Sequence, residues 1–217
     1  MYKLVIWDLD GTILDSDLVL VLTWTALFNE FAPEKKLSIN KLLAFSGPAM
    51  VDSLKKEFPD IPLDVSEKTY VKYSDYYYQR YGTTYPYVRE VIEECKNKGI
   101  KVAVNTNKTK YHTDMALEII GMDKLFDCVV SGGDVSKFKP DPEGVYKIME
   151  CLGLTNKDEV LYVGDGIIDY NTAKNAGIDC MISTIPPHKL PVVGGGFNPR
   201  YFISDFKDFF KILEGRI

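Results

Sequence analysis

Leu4-Val5-Ile6-Trp7-Asp8-Leu9-Asp10-Gly11-Thr12 is the stretch that decides the fold. Four apolar residues run without interruption into two carboxylates and a glycine. An unbroken apolar run, rather than alternation, is the signature of a strand covered on both faces, as in a parallel sheet. The pattern returns at Val102 to Val104 before Asn105-Thr106-Asn107, and at Cys128 to Val130 before Ser131-Gly132-Gly133. It returns again at Val160 to Val163 before Gly164-Asp165, and at Cys180 to Ile182 before Ser183-Thr184.

Helical stripes separate these runs. Val88, Val91, Ile92 and Cys95 form one, stopped by Gly99; Met115, Leu117, Ile119 and Ile120 form another, stopped by Gly121. Val145, Ile148, Met149 and Leu152 form a third before Gly153, and Ala173 with Ala176 a short one before Gly177. Glycine past the last periodic residue is the usual helix stop. Strand and helix in repetition imply right-handed βαβ units and a doubly wound parallel α/β sheet. In such sheets the ligand site lies outside the carboxyl ends of the strands, where the acidic, hydroxyl and glycine residues fall here.

One stretch departs from this rhythm. Between about Asp17 and Tyr81 the apolar residues follow helical spacing only: Leu18 to Phe31 and Ser66 to Tyr81 read as long helices, Ile39 to Phe45 and Pro48 to Phe58 as shorter ones. We therefore expect an all-helical domain, residues 17–82, inserted into an α/β core made of residues 1–16 and 83–217. Tyr70, Tyr73 and Tyr77 fit one helical face and read as packing residues.

The bulk numbers bound the function. With 217 residues and 46% hydrophobic content there is material for a sizeable core. Twenty-six basic against 31 acidic residues give a net charge of -5, which argues against nucleic acid or an anionic membrane as partner. Cys95, Cys128, Cys151 and Cys180 stand far apart, without a Cys-x-x-Cys pair, and read as small core residues in a reducing compartment. Tyr2 to Trp7 is too short an apolar run for a signal peptide and no stretch suits a membrane span, so the expectation is a cytoplasmic protein, monomer or homodimer.

Four elements carry the chemistry. Alternation along a strand starts Asp8 and Asp10 on the same side. Two neighbouring carboxylates repel, and a fold keeps such a pair when a metal or a reaction compensates it; helix capping by one Asp and a turn at Gly11 would account for only one of them. Asp165 and Asp169 follow another strand at a spacing that opens a helix and puts both acids on one side. Carboxylates converging at one sheet edge suit a hard cation such as Mg²⁺. Thr106 ends a strand, and its hydroxyl and the amides beyond it suit a phosphate oxygen. Lys139 stands in Phe138-Lys139-Pro140-Asp141-Pro142, where the prolines stiffen the loop.

In this order, Asp8-x-Asp10-Gly11-Thr12, Thr106, Lys139 and Gly164-Asp165 with Asp169 resemble the haloacid dehalogenase superfamily of aspartyl-nucleophile hydrolases over nearly the whole chain. Ile13-Leu14-Asp15-Ser16, Thr106-Asn107-Lys108, Lys139-Pro140-Asp141-Pro142 and Asp169-x-x-x-Ala173-x-x-Ala176-Gly177 are similar to its phosphoglycolate-phosphatase-type members. The resemblance implies a Rossmann-like core with a helical cap, and a Mg²⁺-dependent phosphatase acting on a small phosphorylated metabolite, phosphoglycolate being one candidate. It implies Asp8 as nucleophile and Asp10 as acid and base, with Asp8, the Asp10 carbonyl, Asp165 and Asp169 around Mg²⁺, Asp169 either supporting the metal or orienting Lys139. Thr106, Asn107 and Lys139 would grip the phosphoryl group, and Phe45, Ser46 and Gly47 of a cap loop would contact the rest of the substrate. The cap is expected to open and close over the core. Gly166, where Ser or Thr is frequent, and Tyr87, where Gly often follows the proline, depart from the family pattern.

Other functions compete. A dehalogenase or a phosphonate-cleaving relative lacks the acid that Asp10 supplies. A sugar-phosphate mutase usually has a cap histidine, whereas the histidines here are His112, read as a helix-surface residue, and His188, read as a loop residue. A pyrophosphatase or nucleoside monophosphate phosphatase of the same superfamily stays open. A non-enzymatic phospho-receiver module is shorter and has no helical insertion. A nucleotide kinase is disfavoured by the missing Gly-x-x-x-x-Gly-Lys motif, and Gly194-Gly195-Gly196 reads as a connection.

Overall fold

The computed structural model describes residues 2–46, 48–185 and 197–215. His188 and Gly194-Gly195-Gly196 lie outside the described residues, as does Gly47. The first apolar run is strand β1 (Leu4–Trp7), and every residue in it is fully buried. Its alternation separates two apolar layers. Val5 and Trp7 pack with Val88, Val91 and Ile92 of α5 (Val88–Asn97) and with Phe209 of α9 (Asp208–Leu213). Leu4 and Ile6 pack with Val145 and Ile148 of α7 (Glu143–Cys151) and Ala173 of α8 (Ile167–Ala176). Burial on both faces is the physical reason the run is uninterrupted.

Strands β4 (Lys101–Asn105), β5 (Cys128–Val130), β6 (Val160–Gly164), β7 (Asp179–Ser183) and β8 (Tyr201–Ile203) join β1 in a six-stranded sheet of order β5-β4-β1-β6-β7-β8. Each pairing is parallel. The chain winds from β1 outward to β4 and β5, then returns to β6 and winds the other way. The reversal puts a crevice at the carboxyl end of β1, between the ends of β4 and β6, where such sheets bind ligands. Helix α6 (Lys110–Ile119) follows β4.

A two-residue antiparallel ladder, β2 (Leu14–Asp15) with β3 (Thr83–Thr84), closes the base of the insertion. Between these strands run α1 (Asp17–Phe31), α2 (Ile39–Leu43), α3 (Met50–Glu57) and α4 (Leu63–Tyr81). They have a core of their own, built on Trp24, Leu27, Phe28, Leu42, Leu54 and Phe58. Tyr70 and Tyr73 of α4 pack, half-buried, against this core and Tyr77 against that of the sheet, as expected, while Ser66, Ser74 and Tyr78 are the helix's fully buried residues. Ser66 and Ser74, eight residues apart on the face that Tyr78 continues, let α4 approach its neighbours and turn Tyr78 inward.

Two expectations need correcting. His112 is buried on the inner face of α6, with Ala116 one turn on, rather than on the helix surface. Cys95 and Cys180 are core residues, but Cys128 is half-buried and Cys151 exposed; all four are free thiols. Among the described residues no helix is long and apolar enough to cross a membrane.

Candidate active site

Asp8 follows β1 directly, and its amide donates to the Val163 carbonyl of β6 (2.8 Å), which fixes the backbone across the switch point. Asp165 follows β6, and Asp169 lies one turn into α8. Carboxylate oxygens of Asp8, Asp165 and Asp169, all buried, lie within 4.8 Å of one another. Gly164 is required here: a Cβ at that position would overlap the Asp169 side chain. Asp169 is held at both oxygens. Its Oδ2 accepts from the amides of Asp165 (3.1 Å) and Gly166 (3.3 Å), and its Oδ1 accepts from Lys139 Nζ (2.7 Å).

Lys139 Nζ also donates to Asp8 Oδ1 at 2.6 Å, so one buried ammonium bridges two buried acids. Its loop is fastened from two sides. Asn107 accepts from the Lys139 amide through Oδ1 (2.8 Å) and donates through Nδ2 to the Lys139 carbonyl (3.3 Å). Glu143 accepts from Ser136 and from the Lys137 amide. Burial disfavours the charged form of Lys139, but Asp169 and Asp8 outweigh it and raise its pKa. Burial and the Asp169 charge push the Asp8 carboxyl above the usual carboxylate range, against the pull of Lys139.

Asp10 lies outside that acidic group. Lys108 Nζ donates to both its oxygens (3.1 and 2.9 Å), and the Tyr78 hydroxyl donates to Oδ1 (2.8 Å). Lys108 also donates to the Tyr78 hydroxyl (2.7 Å). Burial favours the neutral acid, yet the Lys108 charge and the hydrogen bonds bring Asp10 down to about 2. Lys108 and Tyr78 were not among the residues selected from sequence. The signal for Tyr78 is its four-residue offset from Ser74; Lys108 stands two residues after Thr106. Thr106 is buried at the end of β4, and its hydroxyl accepts from the Lys108 amide (3.1 Å).

The acids and the inserted helices enclose one cavity of about 200 Å³, lined by Asp8, Asp10, Thr106, Asn107, Lys108 and Lys139 on one side and by Trp24, Phe45, Ser46 and Tyr70 on the other. His112 reaches its edge. Its Nδ1 lies 2.9 Å from Thr109 Oγ1 and its Nε2 3.6 Å from Asp75 of α4, and burial pulls its pKa down to about 4. Tyr87, singled out as a departure from pattern, has φ 66°, the left-handed backbone that explains why glycine is frequent at that point.

The profile of the haloacid dehalogenase-like hydrolases matches residues 5–183, and the chain belongs to that family. Among curated relatives, the pyrophosphatase PpaX of Listeria innocua is 31% identical over 79% of this chain and 78% of its own length. The pyrophosphatase PpaX of Oceanobacillus iheyensis is 26% identical over 97% of this chain and 96% of its own. The crystal structure of a predicted phosphoglycolate phosphatase from Haemophilus somnus superposes with TM-score 0.81 and 27% identity, covering 98% of each chain.

Proposed function

We propose that this protein is a Mg²⁺-dependent phosphatase that hydrolyses a small phosphate monoester through an aspartyl phosphate on Asp8. The observation that carries this reading is Asp8 at the sheet's switch point, with Lys139 Nζ 2.6 Å from its Oδ1 and two further buried acids beside it. Relatives named as pyrophosphatase and phosphoglycolate phosphatase support phosphoryl hydrolysis as the reaction class.

Three buried carboxylates with oxygens within 4.8 Å of one another form a hard-donor set that fits Mg²⁺. Asp8, Asp165 and Asp169 would hold the ion, with the backbone carbonyl of Asp10. When bound, it supplies charge neutralisation between an anionic nucleophile and an anionic phosphoryl group.

The chain's own residues account for the rest. Phosphate monoesters hydrolyse so slowly that the barrier must fall by up to ~20 kcal/mol or more, and a covalent intermediate divides it. An Asp8 carboxylate oxygen bonds to phosphorus while the P–O bond to the leaving group breaks. The departing oxygen keeps the electron pair and takes a proton from Asp10. Water then attacks phosphorus, gives a proton back to Asp10, and the Asp8–phosphorus bond breaks. Lys139 and Thr106 hold the phosphoryl oxygens, and Asn107 and Glu143 act as positioning residues that fix the Lys139 loop.

Asp10 as it stands is ionised, the form that activates water. To deliver a proton it must first lose part of its contact with Lys108, and an incoming phosphoryl oxygen is the anion that competes for that ammonium. The cap supplies Tyr78 to the same acid, so cap position and the state of Asp10 are linked.

The test is release of inorganic phosphate from a panel of phosphate esters by wild type and Asp8→Asn, with Mg²⁺ and with a chelator. Wild type should turn over with Mg²⁺ only, and Asp8→Asn not at all while melting as a folded protein. Turnover by Asp8→Asn would remove the nucleophile; turnover in chelator would remove the metal.

A further inference from the structure

The wall that faces the leaving group is built differently from the wall that faces the phosphoryl group. Its cap side is apolar and aromatic: Leu20, Trp24, Phe45, Met50, Val51 and Tyr70. Among the described residues lining the cavity the cations are Lys108 and Lys139. Both are already engaged on the core side, Lys108 with Asp10 and Lys139 with Asp8 and Asp169. A leaving group bearing a carboxylate or a second phosphate would bring further negative charge against a wall with nothing to neutralise it. Desolvating an unpaired charge is among the costliest events in a binding site.

Two further features of this wall narrow the choice of leaving group. Phe45, half-buried, is stacked on Trp24 with ring centroids 3.9 Å apart and planes 15° apart. A stacked pair at a cavity wall is a platform that a third flat ring extends. Size narrows the choice. An apolar cavity of about 150 Å³ holds one benzene ring. The cavity here is about 200 Å³. That suits one ring beside the phosphoryl position better than a nucleoside.

Resting on the phosphatase reading above, we infer that the substrate is a phosphate monoester of an uncharged alcohol that carries a single flat ring. Phosphoglycolate and pyrophosphate are the charged alternatives that this wall disfavours.

The experiment measures phosphate release by the wild-type protein with Mg²⁺ from benzyl phosphate, phosphoglycolate, pyrophosphate and acetyl phosphate. Benzyl and glycolyl esters are both unactivated, so they compare binding rather than leaving-group reactivity. Burial of one ring should give benzyl phosphate a kcat/KM at least about tenfold above phosphoglycolate and pyrophosphate. Val51→Lys adds a cation to the half-buried edge of the wall and should reverse the preference by raising kcat/KM for phosphoglycolate and lowering it for benzyl phosphate. Equal or better turnover of either charged substrate by wild type overturns the inference, as does a preference that Val51→Lys leaves unmoved. Turnover of acetyl phosphate without discrimination among the others overturns the inference and leaves the phosphatase reading standing. Release from none of the four, acetyl phosphate included, overturns both.

Discussion

Lys139→Met tests the charge balance of the site most directly. The ammonium lies 2.6 Å from Asp8 and 2.7 Å from Asp169, and its side chain is only 6% exposed. Methionine keeps most of the volume and removes the charge. The two buried carboxylates it bridges are then left without their cation, and breaking a buried pair from one side costs about 3–5 kcal/mol. At about 2–4 °C per kcal/mol for a chain of this size, the melting temperature in chelator should fall by about 6–20 °C. Two dependences follow. Mg²⁺ should narrow the gap, since a bound cation restores positive charge and binds the folded state alone. Acidification should narrow it too. Asp8 is already pushed up by burial and by Asp169, and losing Lys139 pushes it further. Protonation then relieves the repulsion at a pH where ordinary carboxylates are ionised. The assay is thermal unfolding of both proteins in chelator and in Mg²⁺, from pH 5 to 8. A variant that melts within about 2 °C of wild type in chelator at neutral pH would refute the reasoning.

Three further substitutions probe the second half of the site. Lys108→Met removes the cation that holds Asp10 down to about 2, so the acid limb of the kcat–pH profile, where ionised Asp10 is lost, should move to higher pH; an unmoved limb would show that Lys108 does not set the state of Asp10. Tyr78→Phe deletes a hydroxyl that donates to Asp10 at 2.8 Å, and equilibrium unfolding should show a loss of about 1.5–3 kcal/mol, the usual worth of a hydrogen bond to a charged group. His112 has its pKa lowered to about 4 by burial. Its neutral form favours the fold fully above about pH 6.5, and that contribution is lost as pH falls toward 4, by about 3 kcal/mol in all. The stability advantage of wild type over His112→Asn should therefore shrink across that window, and a constant difference would contradict the burial account.

Much of the fold was legible because β1 is buried on both faces. Continuous apolar runs marked five of the six strands, and the acidic or hydroxyl residue after each run marked the sheet's carboxyl edge. The unread sixth strand, β8, has three residues, and its central Phe202 is about half exposed, so it carries neither length nor pattern. The β2–β3 ladder is two residues long and held by backbone bonds, to which sequence pattern is blind. The inner face of α6 is set by His112, Thr113, Ala116 and Leu117, two of them polar, so the apolar stripe Met115, Leu117, Ile119 and Ile120 shares only Leu117 with it and leaves His112 on the outside.

The site divides the same way. Asp8, Asp165 and Thr106 were legible because each follows a buried strand, Lys139 because it stands in a proline-stiffened loop, and Asp169 because its four-residue offset from Asp165 opens a helix. Local rules then bring them to one edge. Lys108 and Tyr78 meet Asp10 from two different elements, one after β4 and one 30 residues earlier on α4. Their meeting depends on how the inserted helices dock on the sheet, and no local spacing encodes that. It was nevertheless constrained. A tyrosine turned inward on α4 buries a hydroxyl, which must find a partner. The acceptor within reach at the sheet edge is the Asp10 carboxylate, and an acid buried beside a hydroxyl needs a cation. Lys108 completes that chain of requirements. The cap is therefore held to the core through Asp10, the group proposed above to exchange a proton, and its docking cannot change without changing the electrostatics of that acid.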